Sequence, residues 1–229
     1  MKKIFTDKKI PDPGKKLLLL LSAMSLVCAS LVWYRHLVTG SPMYMFLLWN
    51  LFLAWIPFYV SALLQLFKQK RRVSYLLLIT WLLFFPNSLY LITDLIHVGR
   101  GSDFPRWFDA ILIFSAAVLG LLMAFISLYR VEQFLETKMK QRVVHALMIF
   151  ILFLGSFGVY LGRFLRWNSW DVLHQPHRLF VSIGERILYP VEYWYAWGIT
   201  AMFTVLFYLI YFSAKKLPGY LNRAKQDLE

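Results

Sequence analysis

The 229-residue sequence predicts an all-α fold, a polytopic transmembrane helical bundle of about six spans. Three observations carry that reading. Hydrophobic residues make up 59% of the chain, against roughly 45–50% in an ordinary soluble domain. They gather in blocks near the length that crosses a bilayer, about 20 residues per helix. Basic residues crowd alternate loops, the asymmetry that orients helical membrane proteins.

Residues 1–16 form a basic tail with Lys2, Lys3, Lys8, Lys9, Lys15 and Lys16. The first apolar block, near 17–34, is preceded by positive charge as a signal peptide is. It is followed by Trp33-Tyr34-Arg35-His36 rather than by a small-residue cleavage site, so it reads as a retained anchor. The further spans lie near 43–67, 73–92, 107–129, 143–161 and 193–212, and 215–229 is a second basic tail. Short loops join the blocks, which makes 17–214 one membrane domain. Pro57 and Pro86 fall inside blocks and are expected to kink or end their helices. Asn87, next to Pro86, offers an amide to the backbone groups a proline frees.

The formal net charge is +13. Eighteen of the 25 basic residues fall on the side of the two tails and seven on the other. The positive-inside rule therefore places both termini in the cytoplasm of a cell membrane. The basicity is mainly topological, and nucleic acid is not an expected partner. All 13 lysines lie on the inner side, and every outer basic residue is an arginine. Orientation needs no such choice, whereas the planar guanidinium fork suits carboxylate and phosphate. A single cysteine, Cys28, leaves no intramolecular disulfide to form.

Small residues allow close helix approach in lipid. Ala116, Gly120 and Ala124 form one stripe on the fourth span, and Gly155, Gly158 and Gly162 mark the fifth. They suggest direct packing of spans four and five. Stripes near Gly120 and Gly158 would also serve as a seam for a homo-oligomer or a membrane-protein partner, beside the membrane lipids themselves.

Candidate functional residues collect on the outer side. Candidates for ligand binding are Asn87, Asp94, Arg106, Asp109, Arg163, Arg166, Asn168 and Asp171. Ionisable groups near hydrocarbon cost up to about 2.5–3.5 kcal/mol each at a span centre. Such groups are paired or line polar cavities. Asp94 and His97 stand three apart, as do Asp171 and His174. Each pair shares a helix face, and the four are candidates for acid–base chemistry or for metal ligation. Asp-x-x-His is a weak metal signal. The plainer reading has Thr93 and Ser169 as N-caps, with the aspartates in first helical turns and paired to arginines. Arg163 and Arg166 either clamp an anionic head group or anchor the helix end on carboxylates. In the last outer loop, Phe180, Ile183 and Ile187 recur at helical spacing. That predicts an amphipathic interfacial helix roofing the polar cluster.

Phosphate-binding loops, nucleophile elbows and His-Glu-x-x-His are absent, and no cofactor is clearly implied. Phe85-Pro86-Asn87-Ser88-Leu89-Tyr90-Leu91-Ile92-Thr93-Asp94-Leu95-Ile96-His97 and Tyr160-Leu161-Gly162-Arg163-Phe164-Leu165-Arg166-Trp167-Asn168-Ser169-Trp170-Asp171 resemble the signature of the domain-of-unknown-function 1361 family. Arg106-Trp107-Phe108-Asp109 fits as well, and the resemblance runs from Val73 to Phe212. It implies a multi-pass bacterial membrane protein and brings no reaction or catalytic residue. The leading functional reading is an outward polar pocket for an anionic or lipid-like ligand. An integral-membrane enzyme, metal-dependent or not, acting on an envelope substrate is the first alternative. A transporter or a subunit of a membrane complex is the next.

Overall fold

The computed structural model describes residues 14–99 and 104–226, with the side chains of 222–225 excepted. Residues 1–13 of the basic tail, Arg100, Asp103 and the last three residues lie outside the described residues, as do the side chains of Arg223 and Lys225. The described residues form eight α-helices in order: α1 Lys15–Thr39, α2 Phe46–Leu66, α3 Arg71–Tyr90, α4 Arg106–Glu136, α5 Gln141–Leu165, α6 Asp171–His174, α7 Pro176–Leu188 and α8 Trp194–Gln226. A 3₁₀ segment, Leu91–His97, prolongs α3. Six of these elements are long and apolar enough to cross a membrane. The chain is a multi-pass helical membrane protein.

α4 is the most enclosed of the six and packs against α1, α2 and α3, while α5 joins α3 to α8. One core cluster gathers Trp81, Phe85 and Leu89 of α3 with Leu128 of α4 and Leu152 of α5. A second gathers Leu21 and Cys28 of α1, Leu51 and Phe58 of α2, and Leu112 and Met123 of α4. Lipid is as apolar as leucine, so close packing and internal hydrogen bonds, rather than exclusion of water, hold such helices together.

The small-residue stripes correct one expectation. α4 and α5 touch only slightly, and both stripes face α3 instead. A Cβ on Gly120 would lie 2.5 Å from Leu91 Cδ1 and 2.7 Å from the Ser88 carbonyl oxygen. One on Gly158 would lie 2.5 Å from Pro86 Cγ. Spacing marks the close-packed side of a helix but does not name the neighbour.

The prolines lie inside their helices. Neither ends its helix: α2 runs through Pro57 and α3 through Pro86. The carbonyls just before Pro86 find side-chain donors. Asn87 Nδ2 reaches the Phe84 oxygen at 3.0 Å, as its position suggests, and Ser169 Oγ donates to the Leu83 oxygen at 2.9 Å. Helix ends also move. α1 continues to Thr39 and takes Arg35 into the bundle, and α4 continues to Glu136 and takes in Arg130.

The polar side chains sort into two groups. Near the lysine-rich helix ends, Arg130 Nη1 donates to the Phe58 oxygen and Ser61, Gln65 Nε2 donates to the Arg130 oxygen, and Lys215 pairs with Glu132 at 2.9 Å. At the opposite helix ends stand Arg35, Tyr44, Asp94, His97, Asp109 and Arg163.

Candidate functional site

Two clusters occupy the arginine end, and they differ in kind. In the first, α1 and α4 are locked by a two-pronged ion pair. Arg35 Nε lies 2.9 Å from Asp109 Oδ1 and Nη2 lies 3.3 Å from Oδ2. Arg35 is 1% exposed and Asp109 is fully buried. Arg35 Nη1 donates to Thr39 Oγ1, one turn on, which in turn donates to the Arg35 carbonyl. The Tyr44 hydroxyl is 2.9 Å from Asp109 Oδ2 and 2.8 Å from the His97 oxygen, and the guanidinium lies over its ring. Burial, and then the Asp109 carboxylate accepting from it, push the Tyr44 hydroxyl up to about 12. Asp109 has thus spent its acceptors within the protein, and this cluster is closed.

The second cluster borders open space. The 3₁₀ segment turns Asp94 inward, where α5 presents Arg163 from its last turn. Arg163 Nη2 pairs with Asp94 Oδ1 at 2.5 Å, Nε donates to Thr93 Oγ1 at 2.9 Å, and Nη1 lies 3.0 Å from His97 Nε2. A guanidinium only donates, so His97 Nε2 is the acceptor and carries no proton. The second Asp94 oxygen accepts from Asn50 Nδ2 at 3.1 Å. Each nitrogen of the Arg163 fork makes one bond, and both Asp94 oxygens are satisfied.

Next to this cluster lies a cavity of about 1250 Å³ between α2, α3 and α5. Each helix contributes one stripe. On α3 it is Ile79, Leu82, Leu83, Pro86, Asn87 and Tyr90, a spacing of three and four that keeps one face. Phe46, Trp49, Asn50 and Leu53 line it from α2, and Leu154, Gly158, Leu161 and Gly162 from α5. The glycines of α5 leave room there for Pro86 and Tyr90. The walls are largely apolar, and the polar groups gather at one end.

Arg166 stands at that end. It closes α5 in the left-handed conformation, φ 60° and ψ 29°, which costs a non-glycine residue roughly 1–2 kcal/mol. Its N–H and that of Trp167 both bond the Leu161 oxygen. The exposed side chain lines the cavity and, among the described residues, makes no hydrogen bond or ion pair. This inverts a simple view of the two arginines: the deeper one is paired and the shallower one is open. Asn168 lines the mouth beside it, with its own N–H and amide donating to Asp171 Oδ2 at 2.7 and 3.3 Å.

The roof is α6 and α7. Leu179 and Ile183 of α7 line the cavity, and Trp167 Nε1 donates to Ser182 Oγ. Leu179 and Arg186 are buried, while Phe180 and Ile187 are exposed. The Arg186 guanidinium reaches the Ser182 carbonyl one turn back and lies over the Tyr193 ring.

Six of the residues expected from sequence thus border one cavity: Asn87, Asp94, His97, Arg163, Arg166 and Asn168. Asp109 belongs to the closed cluster, Arg106 is exposed on the first turn of α4, and Asp171 serves Asn168. The two Asp-x-x-His pairs do not converge. His174 is exposed in the α6 turn, and the described residues hold no group of three or more His, Cys, Asp and Glu placed to bind a metal. Nor do Thr93 and Ser169 cap helices. Thr93 accepts from Arg163, and Ser169 bridges Asn87 to the Leu83 carbonyl. Asn50 and Tyr44 were not anticipated. Asn50 is the lone amide in the apolar block from Phe46 to Ser61, and that was the available signal.

The family described as "Protein of unknown function (DUF1361)" matches residues 49–210. The chain belongs to this family. No curated protein and no solved structure matches it. The matched segment contains α3, α5, the cavity roof and most of α2, and so nearly all of the site of this family member.

Proposed function

We propose that the protein binds a lipid-like amphiphile, its apolar part laid along the α2–α3–α5 stripes and its polar end at Arg166 and Asn168. The observation that carries this is the cavity: about 1250 Å³, walled by apolar side chains and ending beside an arginine that has no partner among the described residues. Ligand sites are concave, largely apolar and carry a few convergent polar groups. The arginine end faces outward on this reading, because positive charge holds the lysine-rich end in the cytoplasm.

Trp49 and Trp167 both border the cavity and supply the test. Phosphatidylcholine brominated along its chain should quench the fluorescence of the detergent-purified protein saturably. The double variant Trp49→Phe, Trp167→Phe should lose that saturable part. Quenching that rises linearly with probe, or that survives in the double variant, refutes the reading.

A further inference from the structure

We infer that the occupant is a membrane lipid whose head group carries one net negative charge, reaching the cavity sideways from the bilayer, with Arg166 as its charged contact. This rests on the cavity being an amphiphile site, and it adds the charge class, the source and the contact residue.

The charge follows from a census of the lining. Among the described residues it holds one carboxylate, Asp94, and two guanidiniums, Arg163 and Arg166. His97 accepts from Arg163 at Nε2 and adds no charge there. Asp94 and Arg163 cancel each other through a direct ion pair. Arg163 is held in place: Nε, Nη1 and Nη2 each make a bond, its charge is matched by Asp94, and drawing it away would strand a fully buried carboxylate. One uncompensated positive charge remains, on Arg166. Asp171 does not line the cavity, and its Oδ2 is occupied by Asn168. A monoanion leaves the site neutral. A dianion would leave a charge unpaired in a largely apolar space, and a zwitterion would bring a cation that no lining carboxylate is free to meet.

The source follows from the shape. The α3 stripe from Ile79 to Tyr90 spans eleven residue steps, on the order of 16 Å at the helical rise of about 1.5 Å. That is about half of a hydrocarbon core roughly 30 Å thick, one leaflet deep. Ile79 and Trp49 line the cavity and yet are exposed. Both sit on candidate spanning helices, so the cavity opens onto the surface that lipid covers. Above, α7 carries Leu179 and Ile183 across the head-group end.

The test is native mass spectrometry of the full chain in neutral detergent, offered matched dioleoyl lipids at about 0.15 M salt, where exposed charges more than about 8 Å apart are largely screened. Phosphatidylglycerol should bind about tenfold more tightly than phosphatidylcholine, and Arg166→Gln should abolish that preference. Equal binding of both lipids, untouched by Arg166→Gln, overturns the inference and leaves the amphiphile site standing. Tenfold tighter binding of dianionic phosphatidate overturns the single-charge assignment. A short-chain, water-soluble analogue of phosphatidylglycerol that binds as well as the dioleoyl form overturns the membrane source. If no amphiphile of any charge binds, the proposed function falls, and this inference with it.

Discussion

Arg163 and Arg166 stand three residues apart and have opposite surroundings, one filled by Asp94, Thr93 and His97, the other open at the cavity mouth. The left-handed backbone at Arg166 sharpens the contrast, since glycine would adopt it freely. Arg166→Gly is expected to keep thermal stability or gain up to about 1 kcal/mol, while ligand affinity falls. A loss of stability in that variant would show that the arginine holds the fold together. Breaking the closed cluster has the reverse signature. Asp109→Ala removes the buried carboxylate that Arg35 pairs with and is expected to cost about 3–5 kcal/mol, read as a drop in unfolding temperature in detergent. Arg35→Met combined with Asp109→Leu should recover much of that loss. Tyr44 adds a pH signature. Its hydroxyl is raised from 10.0 to about 12 in the folded protein, so the folded state holds this proton more tightly than the unfolded chain. Stability is then whole below about pH 10 and is lost as pH climbs towards 12. Tyr44→Phe should flatten that fall, which denaturation midpoints measured across the window would reveal. Sequence spacing singled out both arginines and the Asp94–His97 pair. It could not assign partners, because the Arg163–Asp94 and Arg35–Asp109 pairs join residues 69 and 74 apart in the chain.

At the scale of the element, α3 and its 3₁₀ extension organise the site. They offer Asp94, His97, Asn87 and Tyr90, and the glycines of α4 and α5 let neighbours approach that closely. Gly120→Ala would press a methyl group onto Leu91 and the Ser88 carbonyl, one of them backbone. About 1–3 kcal/mol of destabilisation is expected from such overpacking. Gly198 in α8 has nothing within 4 Å of an added Cβ, and Gly198→Ala should be neutral or stabilise by about 0.5–1 kcal/mol. Similar losses for the two variants would contradict the close contact at Gly120. The six spans were legible from apolar block lengths alone, and the family motifs marked α3 and the end of α5. Helix facing was not. The stripes on α4 and α5 announced tight packing without saying that α3 was the neighbour. On α7 the apolar period marked Phe180, Ile183 and Ile187 but did not show that Leu179 and Arg186 would be the buried residues.

The molecule as a whole separates two tasks by its two ends. Lysines crowd the helix ends where Arg130 is tied to α2 and Glu132 to α8. The arginine end holds one sealed ion pair beside one open cavity. Charge asymmetry in the sequence announced that division. Whether the outer polar residues were sealed or open depended on how α2, α3 and α5 diverge, which no local pattern records. The most direct measurement is an experimental density map of the protein in a lipid bilayer disc. Elongated density along the Ile79–Tyr90 stripe, ending in a head-group feature beside Arg166, is the expected result. A cavity filled by the protein's own side chains, with Arg166 folded onto Asp171, would contradict the account.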